Sequence, residues 1–197
     1  MKQLFLIMGK SASGKDTLYK DIVRRFGDRL GVVVPYTTRP KRIGEKDGKE
    51  YHFITKKQMR AMELAGIVIE SRCYQTVYGP WYYLTADDGQ IDLTRRSSLL
   101  IVTPEAYGRI RDYFGVDKVV PLYIEVEDGL RLQRALDRER AQIVPRYEEM
   151  CRRFLADEKD FSDEVLKELG ITRRYRNDDY NCVLEELCET IGKSEDA

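Results

Sequence analysis

The segment LFLIMGKSASGKDTL, residues 4–18, places a glycine-rich loop between an apolar run and a helical pattern. LFLIM is apolar throughout, as in a buried strand, and Leu18, Ile22 and Phe26 recur at a helical spacing of four residues. GVVVP, residues 31–35, is typical of a second strand. Strand, loop, helix and strand in this order form a βαβ unit, which predicts a parallel sheet with helices on its faces.

The loop GKSASGKD has the glycine and lysine spacing of a phosphate-binding loop. Gly9 and Gly14 let the backbone wrap a phosphate, and Lys15 can bridge the β- and γ-phosphates. An acid, Asp16, stands where a hydroxyl residue is usual. Either Asp16 joins a Mg²⁺ shell, which we prefer, or Thr17 is the metal ligand and Asp16 stabilises the helix N-terminus. A carboxylate so near a triphosphate makes a cation necessary in both cases.

The α/β pattern is interrupted by a β-rich stretch, residues 36–90. It contains KDGKE at 46–50, with the Asp-Gly signature of a hairpin, a short helix and two strands. We predict that this stretch is a small insertion in a core formed by residues 1–35, 96–135 and 160–197. Near the end of that core, residues 127–161 read as helix, broken by Pro145.

Composition limits the possible partners. Lys plus Arg equals Asp plus Glu, 34 each, so the formal net charge is zero. Nucleic-acid polymers and membrane surfaces attract proteins with a basic excess, so neither is expected as a partner, and phosphate recognition must be local. No apolar run approaches the ~20 residues of a membrane span, and the N-terminus lacks a signal-peptide pattern. Four cysteines without a CxxC pair and one histidine make zinc improbable and favour reduced, buried thiols in the cytoplasm.

A second phosphate site is indicated by YTTRPKRIGEKDGKEYHF, residues 36–53. Arg39 and Arg42, three residues apart, can both donate to one phosphate, and Tyr51 can add a hydroxyl. The alternative interpretation of this segment alone is a solvated basic loop.

Together these segments resemble the guanylate kinase family over nearly the whole chain. The matching pieces are the loop Gly9–Thr17, TTRPKRIGEKDGKEYHF, IES with Glu70, YG at Tyr78-Gly79, an arginine-rich stretch from Arg138 to Arg153, and RNDD with Asn177-Asp178. The resemblance implies a P-loop NTPase-type α/β fold in a single domain, 1–197, with an acceptor-binding insertion at 36–90 and a helical lid at 136–153. It also implies transfer of the γ-phosphoryl group of ATP, with Mg²⁺, to a nucleoside 5′-monophosphate by a monomer or homodimer.

The resemblance also assigns roles to residues. The ATP-binding set is Gly9, Ser11, Ala12, Ser13, Gly14, Lys15, Asp16, Thr17 and Asn177, with Asp16 and Thr17 as metal ligands. The acceptor-binding set is Tyr36, Arg39, Arg42, Tyr51, Glu70, Tyr78 and Thr103. The catalytic set is Lys15, Arg138, Arg140 and Arg153, because cationic donors stabilise charge on the transferring phosphoryl group. Arg152 competes with Arg153 by spacing, and a solvated helix face is the alternative interpretation of the arginines.

The chain departs from the family pattern where guanine would be read. Tyr36 replaces a serine, Pro80 replaces a small hydroxyl residue, and Ile101 and Thr103 replace two aspartates. Of the residues that would read guanine, Glu70 alone remains. Tyr36 would either block the base or stack on it. We therefore expect weakened guanine selection, with the carboxylate of Asp16 in place of one lost from the sheet.

Three functions follow from these residues. The leading one is a nucleoside-monophosphate kinase that acts on GMP or a related purine nucleotide. The second is a ribose-bisphosphate-type kinase, since such enzymes resemble the same family, carry Asp after the loop lysine and need no base pocket. The third is a catalytically inactive binding module, which Lys15 and the retained arginines disfavour.

Overall fold

The structure, a computed structural model, describes residues 1–42, 44–76 and 78–195. Its larger sheet has five strands, all parallel, which confirms the predicted sheet. In spatial order the strands are β2 (Gly31–Val32), β7 (Ser98–Ile101), β1 (Leu4–Met8), β8 (Val119–Glu125) and β9 (Arg174–Arg176). All five residues of the central strand β1 are buried, as its unbroken apolar sequence predicts for a strand covered on both faces.

Helices cover both faces of this sheet. The α-helices of the described residues are α1 (Lys15–Phe26), α2 (Lys56–Leu64), α3 (Pro104–Phe114), α4 (Asp128–Arg140), α5 (Tyr147–Asp160), α6 (Asp163–Glu168) and α7 (Tyr180–Glu195). Short 3₁₀ turns lie at Gly27–Arg29 and Val116–Lys118.

Side chains of β1 alternate between two cores, as the pleat of a strand requires. Leu4, Leu6 and Met8 belong to a buried cluster that includes residues of α3 and α6. Phe5 and Ile7 belong to a second cluster that includes residues of α1 and α7. The side chains of β1 are therefore buried on both faces of the sheet up to Met8, and the glycine loop begins directly after this buried strand.

A second, four-stranded sheet lies within residues 36–90. Its spatial order is β4 (His52–Phe53), β3 (Tyr36–Thr37), β6 (Gly79–Ala86) and β5 (Val68–Thr76). The two predicted strands β5 and β6 pair antiparallel. The predicted Asp-Gly hairpin at 46–50 is wrong, because β3 and β4 pair in parallel. Gly48, with φ 74°, instead closes a local turn in which its N–H donates to the carbonyl of Tyr51 at 2.9 Å.

The predicted lid, residues 136–153, falls on the end of α4, the connection to α5 and the first half of α5. The break between these helices contains Pro145, as predicted, and the neighbouring Ile143 and Val144 are exposed. Helix α5 has no buried residue. Its contacts with the glycine loop and with α4, which are described below, include ion pairs and hydrogen bonds. The division into core, insertion and lid stays a prediction.

Two further expectations concern whole-chain properties. All four cysteines are free, but Cys73, Cys151 and Cys182 are exposed, so the prediction of buried thiols is wrong except for Cys188. No helix in the described ranges combines the length and hydropathy that a membrane span needs.

Candidate active site

The loop that joins β1 to α1 has an unusual backbone. Gly14 precedes α1 with φ 85°, and Ala12, with φ 62°, is the one non-glycine residue with positive φ in the described part of the chain. At Gly9 a Cβ atom would lie 2.7 Å from the carbonyl oxygen of Ile124, so a larger residue does not fit there. The tight turn therefore ends at the N-terminus of α1, where backbone amides and the helix dipole favour an anion.

Asn177, which directly follows β9, braces this loop. Its side-chain Nδ2 donates to the carbonyl of Ser13 at 2.8 Å, and its backbone N–H donates to the carbonyl of Glu125 at 2.9 Å. The Oγ of Ser13 and the Oδ1 of Asn177 are buried without a hydrogen-bond partner among the described residues. Such atoms are energetically costly, as is common where a backbone is shaped for function. Asn177 and Ser13, both in the predicted ATP-binding set, thus support the loop from within.

Lys15, Asp16 and Thr17 form the start of α1. The Nζ of Lys15 lies 3.1 Å from the Oδ2 of Asp16, whose side chain is 70% exposed. Thr17 is also exposed. The described residues contain no cluster of three or more His, Cys, Asp or Glu that could hold a metal. Mg²⁺ needs no such cluster, because it keeps several waters and binds one or two carboxylates together with substrate phosphates. Asp16 and Thr17 fit that requirement.

Helix α5 contacts the glycine loop through two carboxylates. The Nζ of Lys10 donates to both oxygens of Glu158 at 2.8 Å, and the backbone N–H of Ser11 donates to the Oδ2 of Asp157 at 2.7 Å. One backbone amide of the loop therefore already donates to a carboxylate of α5, the helix whose first half lies in the predicted lid.

Arg131 of α4 completes this connection and is 1% exposed. Its guanidinium contacts the carboxylates of Asp128 at 2.8 Å, Asp157 at 3.3 Å and Glu158 at 2.5 Å. It also lies 4.1 Å from the centre of the Phe154 ring, within the range of a cation–π contact. Arg131 thus ties α4 and α5 together next to the loop.

The predicted lid arginines divide into two groups. Arg138 and Arg153 line one narrow crevice together with Ser11 of the loop. Arg140 does not line it, and its Nη1 lies 3.9 Å from the Oδ1 of Asp137. The structure thus brings Arg138 and Arg153, but not Arg140, to the same crevice.

Glu149, in the first turn of α5, binds two arginines of the same helix. It accepts hydrogen bonds from Arg152 at 2.7 Å and from Arg153 at 2.8 Å. These bonds, that of Arg152 above all, lower the pKa of Glu149 to about 2. Of the two competing arginines, Arg153 is the one that reaches the crevice.

Contacts within the insertion fix the position of the Arg39 side chain. This residue is 4% exposed, and its Nη1 donates to Glu45 at 2.7 Å. Its guanidinium lies 5.0 Å from the ring centre of Tyr51 and 5.3 Å from that of Phe53. The hydrogen bond with Arg39 is the main cause that lowers the pKa of Glu45 to about 2. The side chain of Arg42 is exposed, while its backbone N–H donates to Glu45.

Glu70 is buried on β5, and both oxygens of its carboxylate accept hydrogen bonds. Its Oε2 accepts from the Nε of Arg72 at 3.0 Å. Its Oε1 accepts from the Oγ1 of Thr85 at 2.8 Å and from the Nη2 of Arg72 at 3.3 Å. Thr103 caps the N-terminus of α3 and accepts from the Nη1 of Arg72 at 2.9 Å. Two predicted acceptor-binding residues, Glu70 and Thr103, are therefore joined by a residue that sequence reasoning missed.

Tyr36 lies on the other face of this sheet. It is opposite Leu84 of β6, whereas Glu70 is opposite the adjacent residue, Thr85. Neighbouring residues of a strand point to opposite faces, so Tyr36 and Glu70 do not meet. The hydroxyl of Tyr36 donates to Asp88, and burial together with this bond raises the pKa of Tyr36 to about 12.

Tyr78 lies near the tip of the β5–β6 hairpin and is 83% exposed. Its ring is parallel to that of Trp81, with 6.2 Å between the ring centres. In this structure its hydroxyl is therefore presented to solvent and is not gathered with Arg39 and Tyr51.

The missed residues differ in the signal they left. Glu45 follows Arg42 by three residues, and Arg72 follows Glu70 by two, the spacing at which strand residues share a face. Only the spacing of Glu70 and Arg72 predicts a contact between side chains, because Arg42 and Glu45 lie outside the helices and strands. Arg131 has no such signal, because it is one of many charged residues in GLRLQRALDRER, residues 129–140.

Comparison of the sequence with known proteins identifies a matching family. A sequence model of the family described as Guanylate kinase matches residues 1–161. A guanylate kinase of Aromatoleum aromaticum is 34% identical over 134 residues, which are 65% of this chain and 63% of that protein. One of Schizosaccharomyces pombe is 46% identical over 57 residues, which are 29% of this chain and 28% of that protein. The chain thus matches less than two thirds of the length of these curated relatives.

A solved structure shows the same fold. The crystal structure of guanylate kinase from Anaplasma phagocytophilum superposes with a TM-score of 0.64 over 98% of this chain and 86% of that one. The sequence identity is 18%, so this likeness concerns the fold alone. It assigns the parallel sheet and its flanking helices to the P-loop NTPase type.

Proposed function

Because this chain belongs to the guanylate kinase family, we propose that it transfers the γ-phosphoryl group of ATP to a nucleoside 5′-monophosphate. GMP or a related purine nucleotide is the proposed acceptor, so that GMP and ATP yield GDP and ADP. The observation that carries the proposal is the loop from Gly9 to Thr17, which joins the buried central strand to α1 with Lys15 in the first turn.

ATP binds at this loop through backbone amides and Lys15. The present partner of Lys15 is the exposed Asp16, and exposed ion pairs contribute only ~0–1 kcal/mol. Phosphate oxygens therefore replace Asp16 at little cost. That exchange leaves the Asp16 carboxylate, with the Thr17 hydroxyl, available to Mg²⁺. When bound, Mg²⁺ neutralises negative charge that develops on the β- and γ-phosphate oxygens.

The acceptor phosphate binds at Arg39, with Arg42 and the hydroxyl of Tyr51 as further donors. Glu45 and two aromatic rings hold the Arg39 guanidinium in place before any ligand arrives. An arginine has five N–H donors, so a phosphate can be added as a partner without removal of Glu45. This preorganisation lowers the entropic cost of binding.

The lid supplies cationic charge to the transferring group. Arg138 and Arg153 line a crevice with Ser11 of the loop, which supports their proposed role in stabilising charge on the γ-phosphoryl oxygens. Arg140 stays a prediction with less structural support, because it lies outside that crevice. The cytoplasmic location and the monomeric or homodimeric state also stay predictions.

An acceptor panel tests the proposal. The purified chain is mixed with ATP, Mg²⁺ and, in turn, GMP, dGMP, IMP, AMP, CMP, UMP or ribose 1,5-bisphosphate, and ADP formation is followed. We expect ADP formation that depends on a purine monophosphate. ADP formation with ribose 1,5-bisphosphate alone would assign the chain to the ribose-bisphosphate kinases. Nucleotide binding without turnover of any acceptor would identify an inactive binding module.

A further inference from the structure

The edge of Glu70 that could read guanine is already occupied. A guanine base presents two adjacent donors, N1–H and the C2 amine, which a carboxylate accepts side by side. Arg72 presents the same pattern, with its Nε and Nη2 on the two oxygens of Glu70 at 3.0 and 3.3 Å. The side chain of Glu70 is 0% exposed, and Thr85 takes a further lone pair. The guanidinium therefore stands where the base edge would stand.

Arg72 is held in this place by more than Glu70. Its Nη1 donates to the Oγ1 of Thr103 at 2.9 Å, so it links β5 to the start of α3. Its side chain is 12% exposed. A guanidinium has five N–H groups, so each terminal nitrogen keeps one more hydrogen besides these three contacts. To bind guanine, Glu70 would have to release a largely buried cation, which is unfavourable unless that cation finds another partner.

We propose that Arg72 determines acceptor specificity by converting this subsite from one that accepts hydrogen bonds into one that donates them. This inference rests on the phosphoryl transfer from ATP that is proposed above, not on a nucleoside as the acceptor, and it names the acceptor class. The preferred acceptor carries an oxygen acceptor or a negative charge, not the paired donors of guanine, at the end distant from its reacting phosphate. A keto-substituted base and a second phosphate on a sugar share that chemistry.

Two nucleotides that differ at one edge of the base distinguish a subsite that accepts hydrogen bonds from one that donates them. GMP and XMP differ at C2 of the base, where GMP has an amine donor and XMP has a keto acceptor, and at the neighbouring N3, which is an acceptor in GMP and an acidic N–H in XMP. The measured quantity is the ratio of kcat/KM for XMP to that for GMP, in the wild type and in Arg72→Ala. Ribose 1,5-bisphosphate is the third acceptor, which separates a keto base from a sugar phosphate as the source of the recognised oxygen.

The wild type should use XMP, or ribose 1,5-bisphosphate, at least about tenfold better than GMP, since one well-placed polar contact discriminates by roughly this factor. In Arg72→Ala the freed Glu70 carboxylate should raise kcat/KM for GMP. The XMP-to-GMP ratio should then fall by roughly tenfold to a hundredfold. The matched control is Arg109→Ala, since Arg109 is an exposed arginine that donates to the backbone of Ser71 without touching Glu70. It should leave the ratio unchanged.

Arg72→Ala leaves a buried carboxylate without its cation, which destabilises the fold. A second variant, Arg72→Gln, keeps the test informative if Arg72→Ala does not fold. The amide of Arg72→Gln is uncharged and lacks the paired Nε and Nη2 donors, so it frees at least one oxygen of Glu70, and the ratio should move in the same direction by a smaller factor. If either folded variant loses GMP activity with an unchanged ratio, Arg72 only positions Glu70 and the inference is overturned. If the folded wild type phosphorylates no acceptor at all, the proposed function itself fails, and the inference with it.

Discussion

Replacement of Arg131 by alanine tests whether the buried ion cluster holds α4 and α5 together. The change removes a guanidinium that is 1% exposed and contacts three carboxylates. Removal of one partner from a buried ion pair costs about 3–5 kcal/mol. Asp128 and Glu158 are 46% and 37% exposed, so they recover hydration, whereas Asp157 is 15% exposed and recovers little. The expected loss is therefore close to that of one buried pair, about 3–4 kcal/mol.

The assay is reversible unfolding, by urea and by heat. For a domain of this size, a loss of 3–4 kcal/mol corresponds to a fall in Tm of roughly 6–16 °C. The matched control is Arg140→Ala on the same helix, since the Arg140 side chain is 62% exposed and 3.9 Å from its acidic neighbour. That control should change the free energy of unfolding by less than about 0.5 kcal/mol. A loss below about 1 kcal/mol for Arg131→Ala would refute the reasoning, because the cluster would then behave like a surface pair.

Two further predictions concern the loop and the insertion. Gly14→Ala should lower the free energy of unfolding by more than Gly66→Ala does, because both have positive φ, 85° and 70°, but only the Gly14 Cβ would meet an atom, Asn177 Nδ2 at 2.5 Å; equal losses in urea titrations would contradict this. Glu45→Gln should destabilise the protein at neutral pH, where the carboxylate with its lowered pKa holds Arg39. That stabilisation is complete above the ordinary pKa of 4.5 and is lost as pH falls towards about 2, so wild-type and variant stabilities should converge over this range; a pH-independent difference would refute the assignment.

The parts of the fold that sequence reasoning predicted depend on local patterns. LFLIM is apolar on both faces, and the glycine loop follows it directly, so strand, loop and helix could be placed without knowledge of the rest. The Asp-Gly turn at Gly48 is also local and is present as a turn. Its assignment to a hairpin was wrong because β3 and β4, which flank the turn, pair in parallel and not antiparallel. A local turn signature does not determine the relative direction of the flanking strands.

The missed parts of the site depend on long-range contacts between charges. Arg131 and Asp157 are 26 residues apart, and Lys10 and Glu158 are 148 apart. Nothing in a charged helical sequence says which arginine is buried. Tyr36 shows a related limit, since its face relative to Glu70 depends on the register of three strands. The contact between Arg72 and Glu70 could have been predicted from the sequence, because residues two apart on a strand share a face.

The most direct test of the central claim follows the phosphoryl group itself. ATP labelled at the γ-phosphate is incubated with Mg²⁺ and the monophosphate that gives most ADP in the acceptor panel, with the wild type and with Lys15→Ala. The account predicts label in the diphosphate product of the wild type. It also predicts near-complete loss of that label in a Lys15→Ala variant that keeps wild-type unfolding behaviour, because the proposed role of Lys15 is to contact the phosphates that react. Label that appears only as inorganic phosphate, or transfer by the variant within threefold of the wild type, would contradict the account.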